Sequence, residues 1–352
     1  MLIYLFRQLY LDLQKPPLLC LTGEVFYQLL EGISGLISFR YNRSLFLLFR
    51  KVRRMLYLGE IAAIITSATF AINSAIFTLA GREVGSAVVN RLRLVVASIL
   101  LMAAQWIFLG APWPAGVELD RWVWLGLSGI VGLVLGDAFL FQAFVLVGPR
   151  VSMLMMSLAP LLAAFTAWIF LGEDLTLWQI MGIVLTLIGV MWVVLEKKHL
   201  QGPQKEKYLR GVLFGLGAAT GQALGMVLAK NGLGGSFSPL AGNFIRMFTA
   251  MIVIWLITII QKKSRTTIQL IINNPGAMWK IIGGAFLGPF LGVSLSLFAL
   301  QHTSVGVAST LMALPPIFLL PIDYFYFKER FGWGAIAGTV IAMLGVAVLF
   351  LV

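Results

Sequence analysis

GLVLGDAFLFQAFVLVGPRVSMLMMSLAPLLAAFTAWIFLGE, residues 132–173, holds the pattern that decides the fold. Moved 156 positions along the chain without a gap, its Gly132, Gly136, Ala143, Val151, Leu158, Pro160 and Glu173 land on Gly288, Gly292, Ala299, Val307, Leu314, Pro316 and Glu329. The match continues at the same shift, with Gly182, Val184, Gly189 and Val190 landing on Gly338, Val340, Gly345 and Val346. At a shift of 153, Asn90 and Arg93 land on Asn243 and Arg246; at 152, Gly59 and Ala71 land on Gly211 and Ala223. Small apolar residues coincide easily in apolar sequence. Pro, Glu, Asn and Arg recurring in one order do not, so the chain carries a duplicated unit.

Both copies are suited to lipid. Of 352 residues, 60% are hydrophobic and 11% charged, whereas a globular domain carries about 25% charged residues. A helix needs ~20 apolar residues to cross a hydrocarbon layer of about 30 Å. Ten such runs follow residue 57, near 58–80, 88–109, 122–147, 151–171, 178–195, 211–229, 239–260, 279–300, 306–327 and 333–352. Trp122, Trp124, Trp178, Trp279 and Trp333 sit at run starts, as an interfacial aromatic belt requires. Period-2 alternation is absent, which argues against a membrane β-barrel. A single Cys excludes a disulfide scaffold, and two His with 14 acidic residues leave little for a metal site. The net charge of +12 lies between apolar runs, not interleaved with aromatics on a polar face, so no nucleic-acid partner is expected.

The expected fold is therefore an all-α membrane protein of ten transmembrane helices in two five-helix repeats, 57–196 and 211–352, joined by a charged linker, 197–210. Five is odd, so the second copy enters the membrane from the opposite side. Such inverted repeats are frequent in secondary transporters, whose shared site lies near the midplane.

The motifs themselves resemble the EamA-type drug/metabolite transporters. In the first copy the resemblance rests on Ala159-Pro160, Gly172-Glu173, Gly182 and Gly189; in the second, on Pro315-Pro316, Lys328-Glu329-Arg330, Gly338 and Gly345. Lys328 stands where the family pattern has Gly. The resemblance covers about 57–352 and implies a central cavity built by the first four helices of each half, with the fifth and tenth peripheral. It also implies transport of amino acids or other small metabolites.

Ionisable groups near the bilayer centre cost roughly 2.5–3.5 kcal/mol on insertion scales, which makes them functional candidates. Asp137 and Gln142 stand in the third span, Arg93 and Arg246 in equivalent places of the second and seventh, and Asn73 and Gln222 in the first and sixth. Each has a structural alternative: the arginines can snorkel to the headgroups, and Asp137 can serve only to neutralise Arg93. Pro160 and Pro316, in matching positions, are expected to break helices beside a cavity. These eight residues form the expected substrate site. Asp323 reads as structural, close to Lys328, and Glu173 and Glu329 read as turn or helix-start residues.

The expected function is a secondary transporter in the cell membrane that moves a small metabolite, an amino acid or related compound, by alternating access and in the export direction. The partners are that solute and the lipid bilayer, with a homodimer left open, and no cofactor is expected. No GxxxxGK[ST] is present for ATP hydrolysis. The alternative, a membrane-embedded transferase acting on a lipid-linked substrate, needs clustered carboxylates for Mg²⁺. The only close acidic pairs are Glu118/Asp120 and Glu173/Asp174, both in loops. Loops after odd-numbered spans hold 13 Lys and Arg against 2 after even-numbered ones, which places the odd loops in the cytoplasm. The basic segment 1–54 contradicts that orientation, and the functional protein is expected to start near Met55.

Overall fold

The computed structural model describes residues 58–171, 176–196, 201–234, 237–303, 305–328 and 332–351. The basic segment 1–54, Met55, Glu173 and Glu329 lie outside the described residues. Described secondary structure is helical throughout. The first half comprises α1 (Leu58–Val84), α2 (Ser86–Leu109), α3 (Leu119–Gly129), a π-helical turn π1 (Ile130–Gly136), α4 (Asp137–Met156), α5 (Ala159–Leu171) and α6 (Leu177–Glu196). The second comprises α7 (Gly202–Gly232), α8 (Pro239–Ile260), a short α9 (Ser264–Ile272), α10 (Pro275–Ala285), π2 (Phe286–Gly292), α11 (Val293–His302), α12 (Val305–Met312), α13 (Pro315–Phe325) and α14 (Trp333–Leu351).

The duplication is visible in the backbone. α3, π1, α4, α5 and α6 each begin 156 residues before α10, π2, α11, α13 and α14. Both π turns close with a wide bond, from Asp137 N–H to the Gly132 carbonyl and from Val293 N–H to the Gly288 carbonyl. The fourth span of each half also breaks at the same place, at Ser157–Leu158 and at Ala313–Leu314. Pro160 follows the first break, and Pro315 opens the helix after the second with Pro316 behind it. Proline has no N–H to give the preceding turn, so the helix restarts there.

The ten expected spans do not appear as ten separate long helices. Among the described residues, nine helices are long and apolar enough to cross a membrane. The reason is local. Gly148 takes φ 83° and ψ 169°, a left-side conformation open to glycine, so the continuous run Leu119–Met156 turns there and joins the third span to the start of the fourth. What remains of the fourth, Ala159–Leu171, is then too short to count. Within the charged segment between the repeats, α7 begins at Gly202. Trp178, Trp279 and Trp333 stand exposed near helix starts, where an aromatic belt belongs.

Packing crosses between the halves. α1 lies against α10, π2 and α11, just as α7 lies against α3, π1 and α4. α2 packs on α8, and α6 packs mainly on α14. The last contact is glycine on backbone: a methyl at Gly182 would meet the Gly345 carbonyl at 2.8 Å, and one at Gly338 would meet the Gly189 carbonyl at 2.9 Å. Gly182 matches Gly338 and Gly189 matches Gly345, so the contact is reciprocal, with the helices antiparallel about a pseudo-twofold axis. Small residues give this closeness in lipid, where packing replaces the hydrophobic effect.

The halves are not in the same conformation. α2 packs against α1 and α4 of its own half, and α13 reaches α4. Among the described residues, α8 has no comparable packing on α7 or α11, and α5 has none on α11. The helix ends around Ser86 and Gly148 are thus drawn together, while among the described residues α8 makes no comparable contact with α11. A test of the pseudo-twofold contact is Gly189→Ala, whose new methyl would collide with the Ala342 backbone; stability should fall by about 1–3 kcal/mol. Gly283→Ala, where a methyl meets nothing within 4 Å, should be neutral or mildly stabilising in the same detergent unfolding assay.

Candidate functional site

Asp137 is the first residue after π1, eighteen residues from the start of α3 and eleven before Gly148, which places it about midway along its span. The π turn of Ile130–Gly136 widens the helix just before it, a deviation common at functional sites. Asp137 is 5% exposed and Arg93 7%. The Arg93 guanidinium donates to the Asp137 carboxylate and to Asn90 Oδ1 at 3.1 Å, and stacks over Phe141 at 5.1 Å. Asn90 Nδ2 in turn donates to the Leu133 carbonyl at 3.2 Å, a group inside π1. Asn90, Arg93 and Asp137 thus form one wired unit between α2 and the third span.

The mate of Arg93 approaches from the other half. Arg246 on α8 has its backbone carbonyl against Gly129, and its Nη2 lies 3.7 Å from where a Gly132 side chain would begin. Its charge attracts the Asp137 carboxylate through space. Gln222 on α7 converges on the same glycine, with Oε1 3.2 Å from that point. Gly132 is therefore a gap that a methyl would fill. Buried and without a hydrogen bond are Arg93 Nε, Arg246 Nε, Gln222 Oε1, Asn243 Nδ2 and Asn73 Oδ1.

Of the eight residues expected from sequence, Arg93, Asp137, Arg246 and Gln222 gather around π1. Asn73 lies elsewhere, with its amide against Gly288 in π2. Gln142 accepts from Ser86 Oγ at 2.6 Å and ties α4 to the first residue of α2, toward the closed end. Pro160 and Pro316 shape the broken fourth spans. They offer no donor and act through the backbone.

A buried ion pair went unread in the sequence. Arg150, counted as a loop cation, lies at the start of the fourth span with its Nε 3.4 Å from Asp323 Oδ2 on α13, and both side chains are 2% exposed. Asp323 is thus paired with Arg150, 173 residues away in sequence, and its neighbour Lys328 is exposed. The signal was available: Arg150 directly follows Gly148-Pro149, where a fixed turn carries it under the next helix.

Comparison with known proteins places this arrangement. The model of the EamA-like transporter family matches residues 57–195 and 209–351. An uncharacterized transporter of Archaeoglobus fulgidus is 33% identical over 84 residues, a match covering 23% of this chain and 30% of that protein. A solved crystal structure superposes with a TM-score of 0.52 at 16% identity over 84% of this chain and 96% of that one, a likeness of fold.

The wired unit gives a direct test. Asp137→Asn leaves Arg93 buried without its carboxylate and should destabilise by about 3–5 kcal/mol. Adding Arg93→Gln should recover part of that loss. Unfolding in mixed micelles measures the cycle, and strictly additive losses would mean the pair does not hold α2 to α4.

Proposed function

Because the chain belongs to the EamA-like transporter family, we propose that it is a secondary transporter moving a small metabolite, an amino acid or related compound, outward across the cell membrane by alternating access. The chain then crosses the membrane ten times. Its repeats are 57–196 and 211–352, linked by 197–210; the run Leu119–Met156 supplies the third crossing and, past the turn at Gly148, the start of a fourth that α5 completes. The antiparallel, reciprocal contact of α6 and α14 supports an axis in the membrane plane, which inverts one repeat relative to the other.

The observation that carries the mechanism is the difference between two sequence-matched halves. Inverted repeats exchange conformations when the site changes the side it faces. At the end bearing Ser86, Gly148 and Asp323, α2 and α13 pack on α4, whereas among the described residues α8 and α5 have no comparable packing on α11, so we read the first end as closed and the end bearing the start of α8 as open. Polar links hold the closed end: Arg150 with Asp323, Ser86 with Gln142, and Lys280 with Glu83. Arg93, Asp137, Gln222 and Arg246 lie between the ends, where a solute would be enclosed. Energy comes from a solute or ion gradient, and the bilayer and the solute are the required partners.

Weakening the closed end should shift the access equilibrium. With Cys20 replaced and Ser86→Cys introduced, a membrane-impermeant maleimide should label Asp323→Asn protein at least about tenfold faster than its parent, the factor that ~1.4 kcal/mol of lost closure produces. Equal rates would remove Arg150–Asp323 from the gate. Transport itself is read by counterflow of labelled amino acids and related metabolites in proteoliposomes, and failure of the whole panel would contradict the reading.

A further inference from the structure

We propose that the transported solute bears a carboxylate, which Arg246 and Asn243 take from the open side. The proposal rests on the transport reading and names the substrate class for the same site.

In the first half, Asn90 and Arg93 spend their donors on the Leu133 carbonyl, Asn90 itself and Asp137. In the second half, the residue matched to Asp137 is Val293. Asn243, 9% exposed, has Nδ2 buried with no hydrogen bond, and Arg246 Nε is in the same condition. No side-chain hydrogen bond joins Arg246 to another described residue. The Asn amide satisfied in one half is therefore the donor left over in the other, and the arginine beside it has no carboxylate of its own half to bond.

Charge points the same way. Two arginines face one carboxylate, and that carboxylate hydrogen-bonds Arg93. One positive charge is left over in the middle of the membrane, where an unpaired ion is costly. An arriving carboxylate neutralises it and presents two acceptor oxygens to a guanidinium built for that geometry. A neutral solute could accept from the donors but would leave the charge unmet, and a cationic one would add to it. Gln222 Oε1, also unbonded and beside Arg246 at Gly132, offers an acceptor for a donor group next to the carboxylate, as in hydroxy or amino acids. Asn243 and Arg246 stand four and seven residues after the first residue of α8, in the half of the membrane toward the open end.

The experiment uses the purified full-length protein in lipid nanodiscs. Thermal stability is measured with a panel of monocarboxylates, hydroxy acids and amino acids, each set against the amide of the same skeleton, and with chloride and phosphate at matched ionic strength. Ligands that bind the folded state raise the melting temperature in a saturable way. At least one carboxylate should do so where its amide does not, and its affinity should fall about tenfold or more in Arg246→Gln. Arg246→Lys should keep the preference for carboxylate over amide, and Asn243→Ala should weaken it, so the test survives a misfolded Arg246→Gln. Chloride or phosphate stabilising as well as every carboxylate, amides matching carboxylates, or a carboxylate effect that survives in folded Arg246→Gln would each overturn the proposal. Counterflow separates the two readings. Carboxylate binding without flux of any bound solute upholds the anion site and contradicts transport. Flux confined to amides or amines upholds transport and contradicts the anion site.

Discussion

Inside a hydrocarbon layer a charge must find a partner, and the Arg93–Asp137 ion pair is where this chain meets that requirement. It ties α2 to the middle of the third span and fixes Asn90 against the π turn. The matched positions in the second half are Arg246 and Val293, which cannot form the same bond. α8 correspondingly packs mainly on α2, α3 and π1 of the other repeat. The other polar links repeat the theme. Ser86–Gln142 has Pro239 and Phe298 as counterparts, and Arg150–Asp323 has Gly306 and Ala167. The bonds that close one end have no equivalents at the other, so sequence-matched halves rest in different conformations.

What the halves do share is backbone machinery. Both third spans contain a seven-residue π turn, both fourth spans restart at proline, and the fifth and tenth spans meet through the same pair of glycines. These features set where helices bend and how closely they approach. They carry no charge, so they can be duplicated without cost to either face of the membrane. Shape is symmetric and electrostatics is not. A transporter needs both: equivalent hinges, so that either end can open, and one asymmetric site, so that a solute is held in a defined orientation.

Much of this was legible in the sequence because it depends on residue types that a membrane helix tolerates poorly. Proline, buried Arg and Asp, and the recurrence of Asn90-Arg93 at Asn243-Arg246 gave the duplicated units and four of the gathered site residues. The failures have physical causes. A glycine turn at Gly148 needs no loop, so the third and fourth spans share one continuous helical run where two were expected. Arg150 read as a loop cation because its partner, Asp323, lies on a distant helix that only folding brings near. Gln142, five residues after Asp137 in sequence, accepts from Ser86 at the start of α2, a partner 56 residues away that only folding brings near. The π turns were invisible, since no residue type marks them.

The central claim is that the two halves exchange their packing as the site changes the side it faces. With Cys20 replaced, spin labels at Ser86 and Gln142 report the closed end, and labels at the matched Pro239 and Phe298 report the open one. Distances measured by electron–electron double resonance, with and without a solute that supports counterflow, should move in opposite directions: the first pair lengthens as the second shortens. Two pairs that lengthen together, or neither of which changes, would contradict the account.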